Sequence, residues 1–424
     1  MEYIFSIHKK NSNSLICQFN DDGFCEYINF LSIFFEIRKN GKLYIILDLN
    51  LKMTEDIKAK YESFFNENKN KNNIFFKIKS ILDKIKLNEY FIILPKELKD
   101  SKEKICIQIL LETLNYTEDN QERAKYFENK MKQYDKFDEI FENYDIKLFD
   151  KDMRIKIGES DKNKRVCRFC GKNSKGTNFK NKAHAISESL GFKNIISNEE
   201  CDECNKKFGD SIEQDLLEWL KPFIPVFKIK GKKGHPEFKY KNGSMKYIEE
   251  KDIITIWSKD NTFNQKTKEF NIKLDSYRKI KPVNIYKALV KYAIGTIENK
   301  KVLDKFNKTI KWINSDIKAD KLPKIPYCIT PIDMGIALNT YFRKNHDKSL
   351  PYMFCNLSFN CLQIFFIIPF SDDDSCNFTE DKEYNTFIDR IPFFKFHPEN
   401  WIFQDFSSNS EVKINPSIKM QENK

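Results

Sequence analysis

"NKAHAISESLGFKNIISNEECDECNKKFG", Asn181 to Gly209, follows the short run "CRFCGK", Cys167 to Lys172. Together they hold two Cys-x-x-Cys pairs, Cys167/Cys170 and Cys201/Cys204, separated by 30 residues. Two such pairs suit tetrahedral zinc, because each bends the backbone round the ion and two turns close its coordination shell. A thiol redox pair is the competing reading. Zinc held by four thiolates is closed to substrate, so it is expected to hold the fold and do no chemistry.

His184 lies between the pairs, 13 residues after the first and 16 before the second, and Asn205 directly follows Cys204. With the zinc shell filled by sulfur, His184 is free for another role. It reads either as a core histidine bonded to a backbone carbonyl, as a partner of the zinc ligands, or as a base. Imidazole, with an ordinary pKa near 6.5, suits proton abstraction at neutral pH. Asn205 offers a hard oxygen of the kind Mg²⁺ accepts, although asparagine is also a good helix N-cap.

Lys+Arg 73 against Asp+Glu 62 gives a net charge of +11, which suits a polyanionic partner. The N-terminus "MEYIFSIHKKNSNSLICQF" lacks the features of a signal peptide. The longest strongly apolar runs, such as "LQIFFIIPF", are too short to cross a bilayer, so the reading is cytoplasmic. The seven remaining cysteines, Cys17, Cys25, Cys106, Cys328, Cys355, Cys361 and Cys376, stand singly and read as buried thiols. The histidines His8, His235, His346 and His397 read as surface residues.

The first 100 residues alternate strand-like runs ("EYIFSI", "LICQF", "KLYIILDLN", "NEYFIILPKE") with helix-like ones ("GFCEYINFLSIFFEIRKN", and "TEDIKAKYESFFNENKN" opened by Thr54). Helices are expected over 101–150, then a linker at "GESDKNKR". The N-terminal order resembles a STAS-like regulatory domain. After the cysteine module, Lys221 to Lys246 holds eight lysines and one acid, Glu237, with Phe223, Phe227, Phe238, Tyr240 and Tyr247 interleaved. Such a stretch can follow a phosphate backbone while its aromatics anchor it to the core or meet a base. "KPVNIYKALVKYAIG" from Lys281 predicts a helix with Ile285, Leu289, Tyr292 and Ala293 on one face.

On "CRFCGK", "AHAISESLGFK" and "ECDECNKKFG" the sequence resembles the HNH (ββα-metal) endonucleases of the zinc-stapled kind. The resemblance implies that Cys167, Cys170, Cys201 and Cys204 bind structural Zn²⁺. It makes His184 the general base and Asn205 a ligand of a catalytic Mg²⁺ or Mn²⁺. Most members carry an acid directly before the histidine, where this chain has Ala183. Asp210 and Glu213 are the candidate substitutes, with Glu188 a third. Lys180, Lys182, Lys206 and Lys207 flank the site for nucleic-acid contact.

The expected fold class is α+β multidomain. A central ββα-metal HNH module with a four-cysteine zinc site spans 156–220. It is flanked by an α/β domain over 1–155, with a possible regulatory partner, and an α+β domain over 221–424. The implied activity is metal-dependent hydrolysis of phosphodiester bonds in DNA, in a setting of bacterial or phage defence. The rival, permitted by Ala183, is a zinc-stabilised nucleic-acid-binding protein whose nuclease centre has decayed.

Overall fold

A computed structural model of the chain describes residues 2–10, 15–40, 42–46, 48, 51–71, 73–98, 100–230, 234–315, 317, 319–330, 333–395 and 397–421. The chain divides into two compact units, Met1–Glu142 and Asn143–Lys424.

In the first unit, β1 (Tyr3–Lys9) and β2 (Leu15–Phe19) form a hairpin. Next come α1 (Phe24–Leu31), β3 (Glu36–Asn40), β4 (Lys42–Ile46), α2 (Glu55–Asn68), α3 (Ile74–Leu82), β5 (Phe91–Leu94), α4 (Ser101–Leu114), α5 (Asn120–Asp135) and α6 (Asp138–Asn143). The sheet has the order β2-β1-β5 and is antiparallel throughout. Thr54 caps α2 as its sequence predicts, its hydroxyl accepting from the Ile57 N–H at 3.2 Å. The long helix expected from Gly23 to Asn40 stops at Leu31. Its second half becomes β3, which pairs with β4, so the strand ending near Asp48 belongs to a hairpin. This order departs from the one on which the STAS-like resemblance rested. An aromatic core of Phe5, Phe19, Phe30, Phe75 and Phe91 holds the unit.

The second unit opens with β6 (Tyr144–Asp150), which lies within the stretch expected to be helical. It then runs through β7 (Ile155–Ile157), β8 (Ile195–Ser197), α7 (Asp202–Asp210), α8 (Ile212–Leu220), α9 (Phe223–Val226), β9 (Phe238–Tyr240), β10 (Gly243–Ile248), β11 (Ile253–Ser258), β12 (Asn261–Asn264), β13 (Glu269–Lys273) and β14 (Lys279–Ile280). Its last part holds α10 (Pro282–Gly295), α11 (Lys300–Leu303), α12 (Asn307–Asn314), β15 (Ile325–Ile329), β16 (Ile336–Arg343), β17 (Met353–Phe359), β18 (Leu362–Ile367), α13 (Asp381–Arg390), β19 (Ile402–Gln404), β20 (Val412–Lys413) and β21 (Ser417–Gln421).

A six-stranded antiparallel sheet, β19-β15-β18-β17-β16-β6, forms its floor, with β6 paired to β16 from Asp150↔Ala337 to Tyr144↔Arg343. Against this sheet lies α10, in which twelve residues are buried. A helix apolar nearly all round is a core helix, so the single face read from the sequence understates its burial. One core includes residues of the cysteine module (Phe169, Ile186, Phe208), of α10 (Leu289, Tyr292) and of the sheet (Leu357, Ile364).

Among the single cysteines Cys17, Cys328 and Cys355 are buried, but Cys25 is exposed and Cys106, Cys361 and Cys376 are intermediate. Two histidines expected at the surface are not there. His8 is buried with Nε2 2.8 Å from the Ser6 hydroxyl, and the His235 ring packs edge-on against Tyr247. No helix among the described residues is long and apolar enough to cross a membrane.

Candidate active site

The four sulfurs of Cys167, Cys170, Cys201 and Cys204 lie within 4.8 Å of one another, the only such metal-holding group found among the described residues. Cys170 Sγ and Cys201 Sγ are 3.7 Å apart. A tetrahedron of Zn–S bonds of about 2.3 Å requires sulfur–sulfur edges of about 3.8 Å. The N–H groups of Cys201 and Cys204 each point at a sulfur, Cys167 Sγ and Cys201 Sγ, at 3.5 Å. A hydrogen bond from the Cys204 thiol pulls Cys167 below the usual thiol range, while burial lifts Cys170 above it. Only a cation at the centre can hold all four as thiolates together, so the residues fit structural zinc.

His184 stands on an edge segment that bridges Ile196 of β8, with Ala185 N–H donating to the Ile195 carbonyl and Ser197 N–H to the Ala183 carbonyl, both at 2.9 Å. The chain then turns through Glu188–Leu190 and reverses at Gly191, whose φ of 103° is open to glycine and strained for other residues. This turn returns Phe192 beneath the imidazole, where its carbonyl lies 3.1 Å from His184 Nδ1. A carbonyl can only accept, so Nδ1 carries the proton and Nε2 of the neutral ring keeps its lone pair. Nε2 is 3.8 Å from Glu188 Oε2. Burial holds His184 below the ordinary imidazole pKa, opposed by the Phe192 carbonyl and the Glu188 charge.

The next element, α7, completes a ββα arrangement. Its N-cap is Cys201, whose sulfur accepts from Cys204 N–H, so Asn205 lies inside the helix rather than at the cap. Among the described residues the Asn205 side chain has no hydrogen-bond partner and is half-buried. Asp202, at the first helical position, accepts from Asn181 N–H at 2.9 Å and Lys180 N–H at 3.2 Å, tying the approach to His184 onto the helix. Asp210 is exposed at the far end of α7. It lies five positions beyond Asn205, about 140° round the helix.

Glu213 on α8 is committed elsewhere. Its Oε1 is 3.0 Å from Lys291 Nζ of α10, and the same ammonium lies 3.1 Å from Glu200 Oε2 and 3.1 Å from the His184 carbonyl oxygen. Side-chain exposures of 1% for Lys291, 0% for Glu200 and 14% for Glu213 make this a buried charged triad directly behind the His184 segment. Burial lifts Glu200 to about 7 against the pull of Lys291.

Helix α10 is clamped at both ends. Asp215 Oδ2 accepts from Lys281 N–H at 3.1 Å and from Asn284 Nδ2 at 2.7 Å at its start. Arg168, inside the first cysteine pair, donates to the carbonyls of Ile294, Gly295 and Ile297 at 3.0, 3.1 and 3.0 Å at its end, with Glu199 as counter-ion at 3.0 Å. The guanidinium thus satisfies orphan carbonyls at the negative end of the helix dipole. A Cβ on Gly295 would meet the Ala185 carbonyl oxygen at 2.9 Å, so glycine lets α10 press against the residue after His184.

Of the lysines expected to meet nucleic acid, Lys180 and Lys206 are exposed. Lys182 donates to the Lys193 carbonyl at 3.3 Å, and Lys207 to Asn314 Oδ1 at 3.2 Å. Arg168, Glu200, Asp215 and Lys291 were missed. One signal was available: Lys287 and Lys291, four apart in an otherwise apolar helix, mark charges that the core must pair.

Residues 167–220 match the family model described as HNH endonuclease. No curated protein and no solved structure matches the chain. The second unit therefore carries an HNH-type module stapled by a four-cysteine cluster.

Proposed function

We propose that this chain is a zinc-stapled HNH endonuclease that hydrolyses phosphodiester bonds in nucleic acid, DNA in the first instance, with His184 as general base. The observation that carries the reading is the Nδ1–Phe192 carbonyl bond inside the matched module, because it leaves Nε2 as the lone pair able to take a proton from water. Asn205 supports a second ion, since its amide oxygen has no other partner among the described residues. A divalent cation such as Mg²⁺ or Mn²⁺ held there would neutralise charge building on the scissile phosphate. Glu188, which faces His184, is a better placed acid than Glu213, taken up by Lys291, or Asp210, turned away from Asn205. In this reading Lys180 and Lys206 take flanking phosphates, and the first unit governs target choice or activation in the cytoplasm, in a defence setting.

Two observations favour the second reading, an inactive nucleic-acid-binding module. Ala183 is buried at 2% exposure and offers no ligand, and the cation beside the His184 backbone is an ammonium. Incubation of wild type and His184→Ala with DNA and RNA in Mg²⁺ or Mn²⁺ separates the two. Cleavage lost in the variant supports the nuclease; binding without metal-dependent cleavage in the wild type rejects it.

A further inference from the structure

The lysine-rich stretch after the module resolves differently from its sequence reading. Lys221, Lys228 and Lys230 are neutralised by Glu218, Asp252 and Glu249, and Tyr240 and Tyr247 are buried. These residues anchor the segment. Strands β9, β10 and β11 form a sheet in the order β11-β10-β9. Its inner face packs Tyr240, Met245 and Ile256 onto Ile272, Leu274 and Ile418.

Register assigns the outer face. Ser244 lies opposite both Lys239 and Trp257, and Lys246 lies opposite Thr255, so Lys239, Ser244 and Trp257 make one row across three strands and Lys246 with Thr255 the next. Trp257 is 59% exposed, whereas Trp312 is 3% and Trp219 and Trp401 are half-buried. Lys239 and Lys246 are exposed and have no ion-pair partner among the described residues. Residues 238–281 hold eleven basic against six acidic side chains, a concentration of the positive charge of the whole chain.

We propose that this outer face binds single-stranded nucleic acid, with Trp257 stacking on a base and Lys239 and Lys246 taking the adjoining phosphates. An exposed indole among unpaired ammonium groups matches what a single strand presents: flat bases and regularly spaced negative charge. Self-association through the same face would bring Lys239 and Lys246 against their own copies, so charge selects the polyanion. The proposal rests on the nucleic-acid reading of the module and sharpens it to an unpaired strand held beside the nuclease.

The test is titration of the full chain with oligo-dT and oligo-U of about ten nucleotides, in buffer without Mg²⁺ or Mn²⁺, reading tryptophan fluorescence and anisotropy of a labelled strand. Wild type is expected to show quenching that Trp257→Phe removes, while Trp257→Phe binds within about threefold of wild type and Trp257→Ala about tenfold more weakly. Lys239→Gln with Lys246→Gln is expected to reduce the slope of log K against log salt by about 1.4. Equal affinity of wild type and Trp257→Ala, tighter binding of duplex than of single strand, or a dimer that Trp257→Ala dissolves each overturns the proposal. A chain that cleaves DNA but binds independently of Trp257 loses this proposal and keeps the nuclease. A chain that never cleaves but binds through Trp257 does the reverse.

Discussion

Replacing Lys291 with methionine keeps the stem and removes the ammonium that Glu200, Glu213 and the His184 carbonyl share at 3.0–3.1 Å. Removing one partner of a buried ion pair costs about 3–5 kcal/mol, because the other charge is left without water or counter-ion. Here two carboxylates lose their cation, so the upper end, about 5 kcal/mol, is expected, a large part of the roughly 5–15 kcal/mol that stabilises a typical protein. Glu200 would then favour its neutral form in the fold more strongly still, its folded pKa moving further above the unfolded value of about 4.3. Stability from a raised carboxylate is present at low pH and lost as pH rises through the folded value. Glu200 already titrates at about 7 with Lys291 in place, so the added penalty of the variant develops mainly above that. Urea unfolding of unit-two signals at about pH 5.5 and about pH 8 should therefore give a deficit that is larger at the higher pH. The triple variant Lys291→Met/Glu200→Gln/Glu213→Gln should recover most of it, since a neutral set removes the stranded charge. A single variant within about 0.5 kcal/mol of wild type at about pH 8 would refute the reasoning.

Three further outcomes follow from the same geometry. Metal analysis should find zinc that Cys201→Ser loses, with the apparent melting temperature falling by about 10 °C or more, since structural zinc supplies folding free energy directly; unchanged metal content would contradict the four-sulfur site. The acid limb of the pH–rate profile for DNA cleavage should lie below the free imidazole value of about 6.5, because burial favours the neutral, basic form of His184; a limb at or above it would count against His184 as base. Gly295→Ala drives a Cβ toward the Ala185 carbonyl oxygen 2.9 Å away, for a loss of about 1–3 kcal/mol. Displacement of the neighbouring His184 should cut cleavage by about 100-fold, measured as single-turnover rate on a folded sample; full activity would show that α10 does not position the base.

Several features were legible along the chain because they are local. Each Cys-x-x-Cys turn carries its own geometry, and two such pairs imply one shared ion; the four sulfurs do lie within 4.8 Å of one another. Thr54, as a side-chain acceptor before an amphipathic run, marks its helix start without outside help. His184 stood out by position between the pairs.

What lay beyond local reading were partners far apart in sequence. The role of Glu213 could not be read from its place after Asn205, because Lys291, 78 positions further on, takes its carboxylate. Arg168 sits between two cysteines of the zinc site, and its contacts are carbonyls of Ile294, Gly295 and Ile297 at the end of α10, 126 or more positions away. The same holds for the lysine-rich stretch after the module: alternation along β10 and β11 left either face available to the core. Burial of Met245 and Tyr247 on one side chose the face, and thereby left Trp257 in solvent. Sequence determined the two cysteine pairs of the zinc staple and the histidine between them, because each Cys-x-x-Cys turn needs only nearby backbone; burial of charge and choice of sheet face were decided by tertiary packing, because only the assembled core sets which groups lose water.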